Sequence, residues 1–109
     1  DKLIEIFTNL IDNSIKYSDK NKEITITAKK DGEFNTVSVK DQGIGIPKES
    51  IHRITERFFT VDPSKSRSVG GTGLGLAIVK HLVSQHRAEM DINSVENEGT
   101  TIDIKFNSL

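Results

Sequence analysis

The sequence of 109 residues contains no cysteine and no tryptophan, and only two prolines. Without cysteine there is no disulfide framework, no thiolate metal site and no thiol nucleophile, a composition that fits a reducing compartment. No apolar run is long enough to cross a bilayer: the longest, Leu74 to Val79, has six residues and includes a glycine. Nor does the start of the chain look like a secretory signal, since Asp1-Lys2 leads directly into a polar-interrupted pattern. Charge of one sign is also lacking, because 15 Lys and Arg balance 16 Asp and Glu to a net −1. Such a chain has no overall field to draw it to nucleic acid or to an acidic membrane surface. What is present is 34% hydrophobic and 28% charged, an ordinary globular mixture sized for one domain. Its start at Asp1 rather than Met leads us to expect a piece excised from a longer chain.

Leu3, Ile6, Phe7, Leu10, Ile11 and Ile15 recur at spacings of three and four, which predicts an amphipathic helix over about residues 2–18. Ile24, Ile26 and Ala28 alternate with Thr25, Thr27 and Lys29. Asp31-Gly32 then marks a turn, and Val37 and Val39 alternate with Ser38 and Lys40, predicting a hairpin that ends at Asp41. Gly43, Gly45 and Pro47 punctuate the next stretch before a short helical piece around 48–57. Residues 60–73 are rich in Ser, Gly and basic side chains without periodicity, the character of a loop. Leu74 to His86 returns to helical spacing, and strands over about 89–95 and 100–106 flank an Asn97-Glu98-Gly99 turn. Helices before and after strand pairs, without regular βαβ alternation, predict a two-layer α/β sandwich: a mixed sheet covered on one face by helices.

Three groups of residues carry possible chemistry. Glu5, Asn9, Asn13 and Lys16 fall at spacings of four, four and three, one polar stripe within an arc of about 80° on the first helix. Two mid-helix asparagines are mediocre helix formers. The stripe is either a solvated face or a set of amide oxygens for a hard cation such as Mg²⁺, with Lys16 neutralising the phosphates that supply the remaining ligands. Asp41-Gln42-Gly43-Ile44-Gly45-Ile46 ends a strand. It is either a plain glycine turn or a place where the Asp41 carboxylate accepts the exocyclic amino hydrogen of adenine, the ring lying against Ile46. Gly70-Gly71-Thr72-Gly73-Leu74-Gly75 precedes the second long helix, serving as a hinge or as a phosphate cradle at a helix N-terminus. No Lys-Ser or Lys-Thr pair follows, so it is not a Walker A loop, and no strand leads into it as a dinucleotide fold requires.

Taken together, Asn9-Leu-Ile-Asp-Asn13-Ser-Ile-Lys16-Tyr17, Asp41 to Ile46, Glu56-Arg57-Phe58-Phe59, Gly71 to Leu76 and Gly99-Thr100-Thr101 resemble the catalytic ATP-binding domain of sensor histidine kinases. This is the wider group that includes gyrase, the Hsp90 chaperones and the MutL repair proteins, with the Bergerat-type fold, and the resemblance covers nearly all of residues 1–109. It implies that Asn13, with Asn9, holds Mg²⁺ bridging the ATP phosphates, while Lys16 and Tyr17 contact phosphate and ribose. It implies that Asp41 binds the adenine amino group, helped through water by Thr100, with Gly43 and Gly45 making room for the base. Arg57, with Lys65 or Arg67, would reach the terminal phosphates from an ATP lid at about 60–73. Gly71, Thr72, Gly73, Leu74 and Gly75 would wrap the phosphates and form the lid hinge. Asn9 stands where the gyrase-like relatives carry a water-activating glutamate, so ATP is kept for transfer rather than hydrolysis.

The implied reaction moves the γ-phosphoryl group to a histidine on a separate helical dimerisation domain, and from there to a response regulator. None of His52, His81 and His86 has the setting of that acceptor, so the phosphoacceptor, dimerisation and sensor domains are expected elsewhere in the parent. The expected piece is monomeric, touches neither nucleic acid nor membrane itself, and is cytoplasmic, with a parent anchored in the cell membrane. A gyrase-like ATPase and a catalytically silent nucleotide-binding module are the alternatives. Thr60 stands where an arginine is common, Thr55 replaces a frequent phenylalanine, Arg87-Ala88 a frequent Gly-Gly and Asn97 a frequent glycine. The last two substitutions bear on turn geometry, since Asn tolerates the left-handed region.

Overall fold

The computed structural model describes residues 2–18, 22–56 and 75–107. Helix α1 runs over Lys2–Lys16 with no proline or glycine inside it, an acidic Glu5 in its first turn and a basic Lys16 in its last, both favourable to the helix dipole. Its inner face presents Ile6 and Leu10, both fully buried, with Leu3 and Phe7 packed beside them. Full burial of side chains of this size contributes about 2 kcal/mol each. Ile15 belongs to the apolar recurrence but lies about 140° around the helix from Leu10, and is 59% exposed.

Strands β1 (Ile24–Asp31) and β2 (Phe34–Asp41) form the predicted hairpin, with Asp31 opposite Phe34 across the Gly32-Glu33 turn. Gly32 takes φ +62° at the first turn position, where two-residue hairpins favour glycine. A single 3₁₀ turn at Lys48–Ser50 is the regular part of the expected helical piece around 48–57. Helix α2 spans Gly75–Gln85, and β3 (Glu89–Val95) and β4 (Gly99–Asn107) close a second hairpin.

The two-layer sandwich is as expected, but among the described strands the sheet is antiparallel rather than mixed. Its order is β1-β2-β4-β3, and every neighbouring pair among the described strands is antiparallel. The reason is where the second hairpin docks. The path from β2 through α2 to β3 leaves these two strands pointing the same way, but β4 lies between them, so no parallel pair forms.

Register divides the sheet into cross-strand rows. On the helix-facing side, Ile26, Val39, Ile102 and Ile92 align, followed by Ala28, Val37, Ile104 and Met90. Val39, Ile102 and Ile104 join Ile6, Leu10, Leu76, Val79, Leu82 and Val83 in the core. The other side carries rows such as Thr25, Lys40, Thr101 and Asn93, polar throughout. Helices therefore cover one face, as the alternating strands predict. Ile26 remains 52% exposed, and among the described residues the helices pack over β2 and β3 rather than over β1. Among the described residues no helix is long and apolar enough to cross a membrane.

α2 ends in a Schellman motif, in which the Ala88 N–H donates to Val83 O at 3.0 Å and the Arg87 N–H to Ser84 O at 3.1 Å. This geometry puts Arg87 at φ +55°, where a side chain is strained and glycine is not. Asn97 takes φ +68° in the β3–β4 turn, the geometry that asparagine tolerates. Replacing Arg87 with glycine is expected to raise unfolding free energy by about 1 kcal/mol, seen as a higher urea midpoint at unchanged slope. Arg87→Ala keeps a Cβ in the strained region and serves as the control; equal gains from both variants would contradict the strain.

Candidate functional site

The two apolar rows of the sheet give way, at the end of β2, to a third helix-facing row of different chemistry: Ile24, Asp41, Thr100 and Ser94. Three polar side chains thus sit side by side where a cleft between sheet and helices would begin. Each has partners that fix it. Asp41 Oδ1 accepts the Gly43 N–H at 2.9 Å and the Thr100 N–H at 3.2 Å. Asp41 Oδ2 accepts the hydroxyl of Ser14 from α1 at 3.2 Å. Ser14 is buried at 4% exposure, and a buried hydroxyl requires such a partner. One carboxylate therefore joins the helix, the end of β2 and the start of β4.

The turn after Asp41 is anchored on both sides. Ile44 N–H donates to Tyr17 O at the end of α1 at 3.2 Å, and Asn97 N–H donates to Ile44 O at 2.7 Å. The glycines of this turn are required by the protein's own backbone. A Cβ on Gly43 would lie 2.4 Å from Tyr17 O, and one on Gly45, at φ +70°, 2.2 Å from Val95 O. Gly99, the first residue of β4, is constrained the same way by Asp41 O, 2.2 Å from its would-be Cβ. The steric need at Gly43 and Gly45 is thus close packing of chain on chain, a different reason from the room for a base that the resemblance implies. Ile46 is buried, at 7% exposure.

Ser94 holds the far end of the polar row. Its hydroxyl accepts the Ile46 N–H at 2.8 Å, lies 3.0 Å from Gly99 O as a donor, and meets Thr100 Oγ1 at 2.8 Å. Neither Ser14 nor Ser94 is legible as a site residue in the sequence. The available signal for Ser14 was its place on the buried side of α1 between two asparagine-stripe residues; for Ser94, it was a polar residue at an inward position of β3.

On α1, Asn9, Asn13, Lys16 and Tyr17 are all half-buried. Asn9 Nδ2 donates to Glu5 O, one turn back, at 2.8 Å. The two ends of an amide diverge, so this bond turns the oxygen, the atom a hard cation takes, away from the helix backbone. Lys16 Nζ lies 3.1 Å from Asp12 in an i,i+4 pair, an exposed pairing worth a few tenths of a kcal/mol. Among the described residues no group of three or more His, Asp or Glu side chains comes together. The amide oxygens of Asn9 and Asn13 are neutral donors, of the kind that suits a Mg²⁺ ion bringing phosphate ligands with it.

The structure thus joins Asp41, Gly43 and Thr100 directly, Gly45 and Ile46 through Ser94 and Asn97, and the asparagine helix through Ser14 and Tyr17. Gly75 is the first residue of α2. Arg57, Lys65, Arg67, Gly71, Thr72, Gly73 and Leu74, with Phe58, Phe59, Thr60 and the expected lid at 60–73, lie outside the described residues.

Comparison with known proteins agrees with this fold. A family model described as histidine kinase-, DNA gyrase B- and HSP90-like ATPase matches residues 1–108. The sensor histidine kinase WalK of Bacillus subtilis is 42% identical over 104 residues, covering 94% of this chain and 17% of that protein. The sensor protein kinase WalK of Staphylococcus saprophyticus is 44% identical over the same length and shares. The chain spans about one sixth of the length of these relatives. Among solved structures, the mycobacterial sensor histidine kinase MprB superposes with a TM-score of 0.83 at 31% identity, over 97% of this chain and 70% of that one. Full-length ShkA, solved in complex with AMPPNP, gives 0.80 at 27% identity, over 99% of this chain and 22% of that one.

The glycine turn generates a stability test. Gly45→Ala combines a left-handed φ with a backbone collision and is expected to cost about 3 kcal/mol. Gly32→Ala, at φ +62° with nothing within 4 Å, is expected to cost only about 1 kcal/mol. Equal losses in urea denaturation would show that Gly45 is not packed against Val95.

Proposed function

Since the chain belongs to the histidine kinase-, DNA gyrase B- and HSP90-like ATPase family and is a catalytic ATPase domain of the sensor-kinase type, we propose that it binds ATP with Mg²⁺ between α1 and the polar end of the sheet. In this reading the γ-phosphoryl group goes to a histidine on a separate helical dimerisation domain of the parent, and from there to a response regulator. The observation that carries the proposal is the Ser14–Asp41 hydrogen bond. It ties the strand-end carboxylate to the residue next to Asn13, so the helix that carries the proposed phosphate-facing amides is joined directly to the carboxylate proposed to recognise the base. The AMPPNP bound in the ShkA structure supports a nucleotide as the occupant.

Asp41 accepts the adenine amino hydrogen on its remaining capacity, Thr100 assists, and the ring lies near Gly43, Gly45 and Ile46. Asn13 and Asn9 hold Mg²⁺, which would supply neutralisation of phosphate charge. Lys16 exchanges Asp12 for phosphate, and Tyr17 meets the ribose. Arg57, with Lys65 or Arg67, takes the terminal phosphates, and Gly71, Thr72, Gly73, Leu74 and Gly75 wrap them. During transfer an imidazole nitrogen of the acceptor bonds to the γ-phosphorus while the bond to the β–γ bridging oxygen breaks, and ADP leaves with that electron pair. The chemistry is mostly positioning and charge neutralisation.

Asn9 favours transfer over a gyrase-like hydrolytic reading. An amide takes no proton near neutral pH, and its nitrogen is already committed to Glu5 O. The proposal places the domain in the cytoplasm under a membrane-anchored parent, monomeric on its own.

With labelled ATP and a helical domain carrying the acceptor histidine, the chain is expected to yield a base-stable, acid-labile phosphoprotein and little free phosphate. Asn13→Ala should lower both labelling and Mg²⁺-dependent AMPPNP affinity by at least about tenfold. Unchanged binding by that variant would refute the metal role, and rapid phosphate release without the acceptor would favour the ATPase.

A further inference from the structure

The hydroxyl of Ser94 has one hydrogen and two lone pairs, and it meets three neighbours. Ile46 N–H is only a donor, so it takes a lone pair at 2.8 Å. Gly99 O is only an acceptor, so it takes the hydrogen at 3.0 Å. For the third contact, Thr100 Oγ1 at 2.8 Å, either hydroxyl could donate by geometry alone. A single arrangement satisfies all three at once: Thr100 donates its hydroxyl hydrogen to the second lone pair of Ser94. Thr100 Oγ1 is then left with lone pairs and no hydrogen to offer.

Asp41 stands beside Thr100 in the same row. Its Oδ1 already receives the N–H groups of Gly43 and Thr100, and its Oδ2 receives the Ser14 hydroxyl. An ionised carboxylate only accepts, so what remains of Asp41 is acceptor capacity on Oδ2. The edge made by Asp41 and Thr100 therefore offers lone pairs and no hydrogen.

We propose that Ser94 is a specificity-determining positioning residue: by taking the Thr100 hydroxyl hydrogen it keeps this edge acceptor-only, which selects a 6-amino purine over a 6-oxo purine. The inference rests on the reading that the base meets Asp41. A 6-amino group brings hydrogens that the edge can accept. A 6-oxo group seated the same way sets its oxygen against lone pairs, and a polar group left unpaired in a site is strongly rejected. Without Ser94 the Thr100 hydroxyl is free to rotate and donate to such an oxygen. Ser94 need not touch the base; it acts through Thr100.

The test compares Mg²⁺-dependent binding of ATP and inosine triphosphate, which carries a 6-oxo group and lacks the 2-amino group of guanine. The wild-type chain is expected to prefer ATP by about 100-fold or more. Ser94→Ala should shrink that ratio about tenfold, whereas Ser94→Thr, which keeps a hydroxyl, should preserve it. In a Thr100→Val background, Ser94→Ala should not change the ratio further, because the hydroxyl that Ser94 acts through is gone. Equal losses for both nucleotides in Ser94→Ala would overturn the proposal by reducing Ser94 to a structural role. So would a collapsed ratio in Ser94→Thr, a variant that decides the matter even if Ser94→Ala does not fold. A wild-type chain that binds both nucleotides equally overturns this inference while leaving nucleotide binding intact; one that binds neither overturns both.

Discussion

Everything at the functional end of this domain depends on where one carboxylate finds its hydrogen-bond donors. Asp41 ends β2 at the point where the helix-facing rows of the sheet change from apolar to polar, and it takes donors from three separate pieces of chain. Hydrogen bonds to a charged acceptor are stronger than neutral ones, and an unmet partner at a half-buried position is costly. The result is mechanical. Helix α1 through Ser14, the glycine turn through Gly43 and the start of β4 through Thr100 each give a hydrogen to the same side chain, which couples their positions.

This also explains the unusual density of glycine around the site. Gly43, Gly45 and Gly99 each lie against backbone of another segment, closer than any side chain permits. The turn after Asp41, the end of α1 and the β3–β4 hairpin are drawn together tightly enough to share hydrogen bonds, and the polar row is the surface they expose. A glycine motif taken in isolation invites a ligand-centred explanation. Here the protein's own backbone occupies the space that a Cβ would fill.

Much of this was legible before any coordinates. The 3,4 recurrence from Leu3 to Leu10 points to α1 because it reports burial of one face, and the alternation around Asp31-Gly32 points to the first hairpin because it reports a strand pair across a glycine turn, even though β1 itself stays largely exposed. Asn97 and Arg87 were readable as turn positions, and both adopt positive φ. Strand order was not legible. Hydrophobic alternation is the same whether β3 or β4 sits next to β2, so the parallel pair implied by a mixed sheet had no local signal against it. Ser14 and Ser94 were invisible for a related reason. A serine in a helix or strand looks like any polar residue, and only the register that sets Ser94 beside Thr100, and Ser14 above Asp41, gives either one a role.

The most direct measurement follows the backbone amides of Gly43, Ile46 and Thr100 by nuclear magnetic resonance as AMPPNP and Mg²⁺ are added to the chain. The amides of Gly43 and Thr100 donate to Asp41, and that of Ile46 donates to Ser94. They should show the largest shifts among the residues of the sheet and of the turn that follows β2, while Ser38, Asp91 and Asp103 on the opposite face stay in place. Shifts centred on that opposite face, with Gly43 and Thr100 unmoved, would contradict the account.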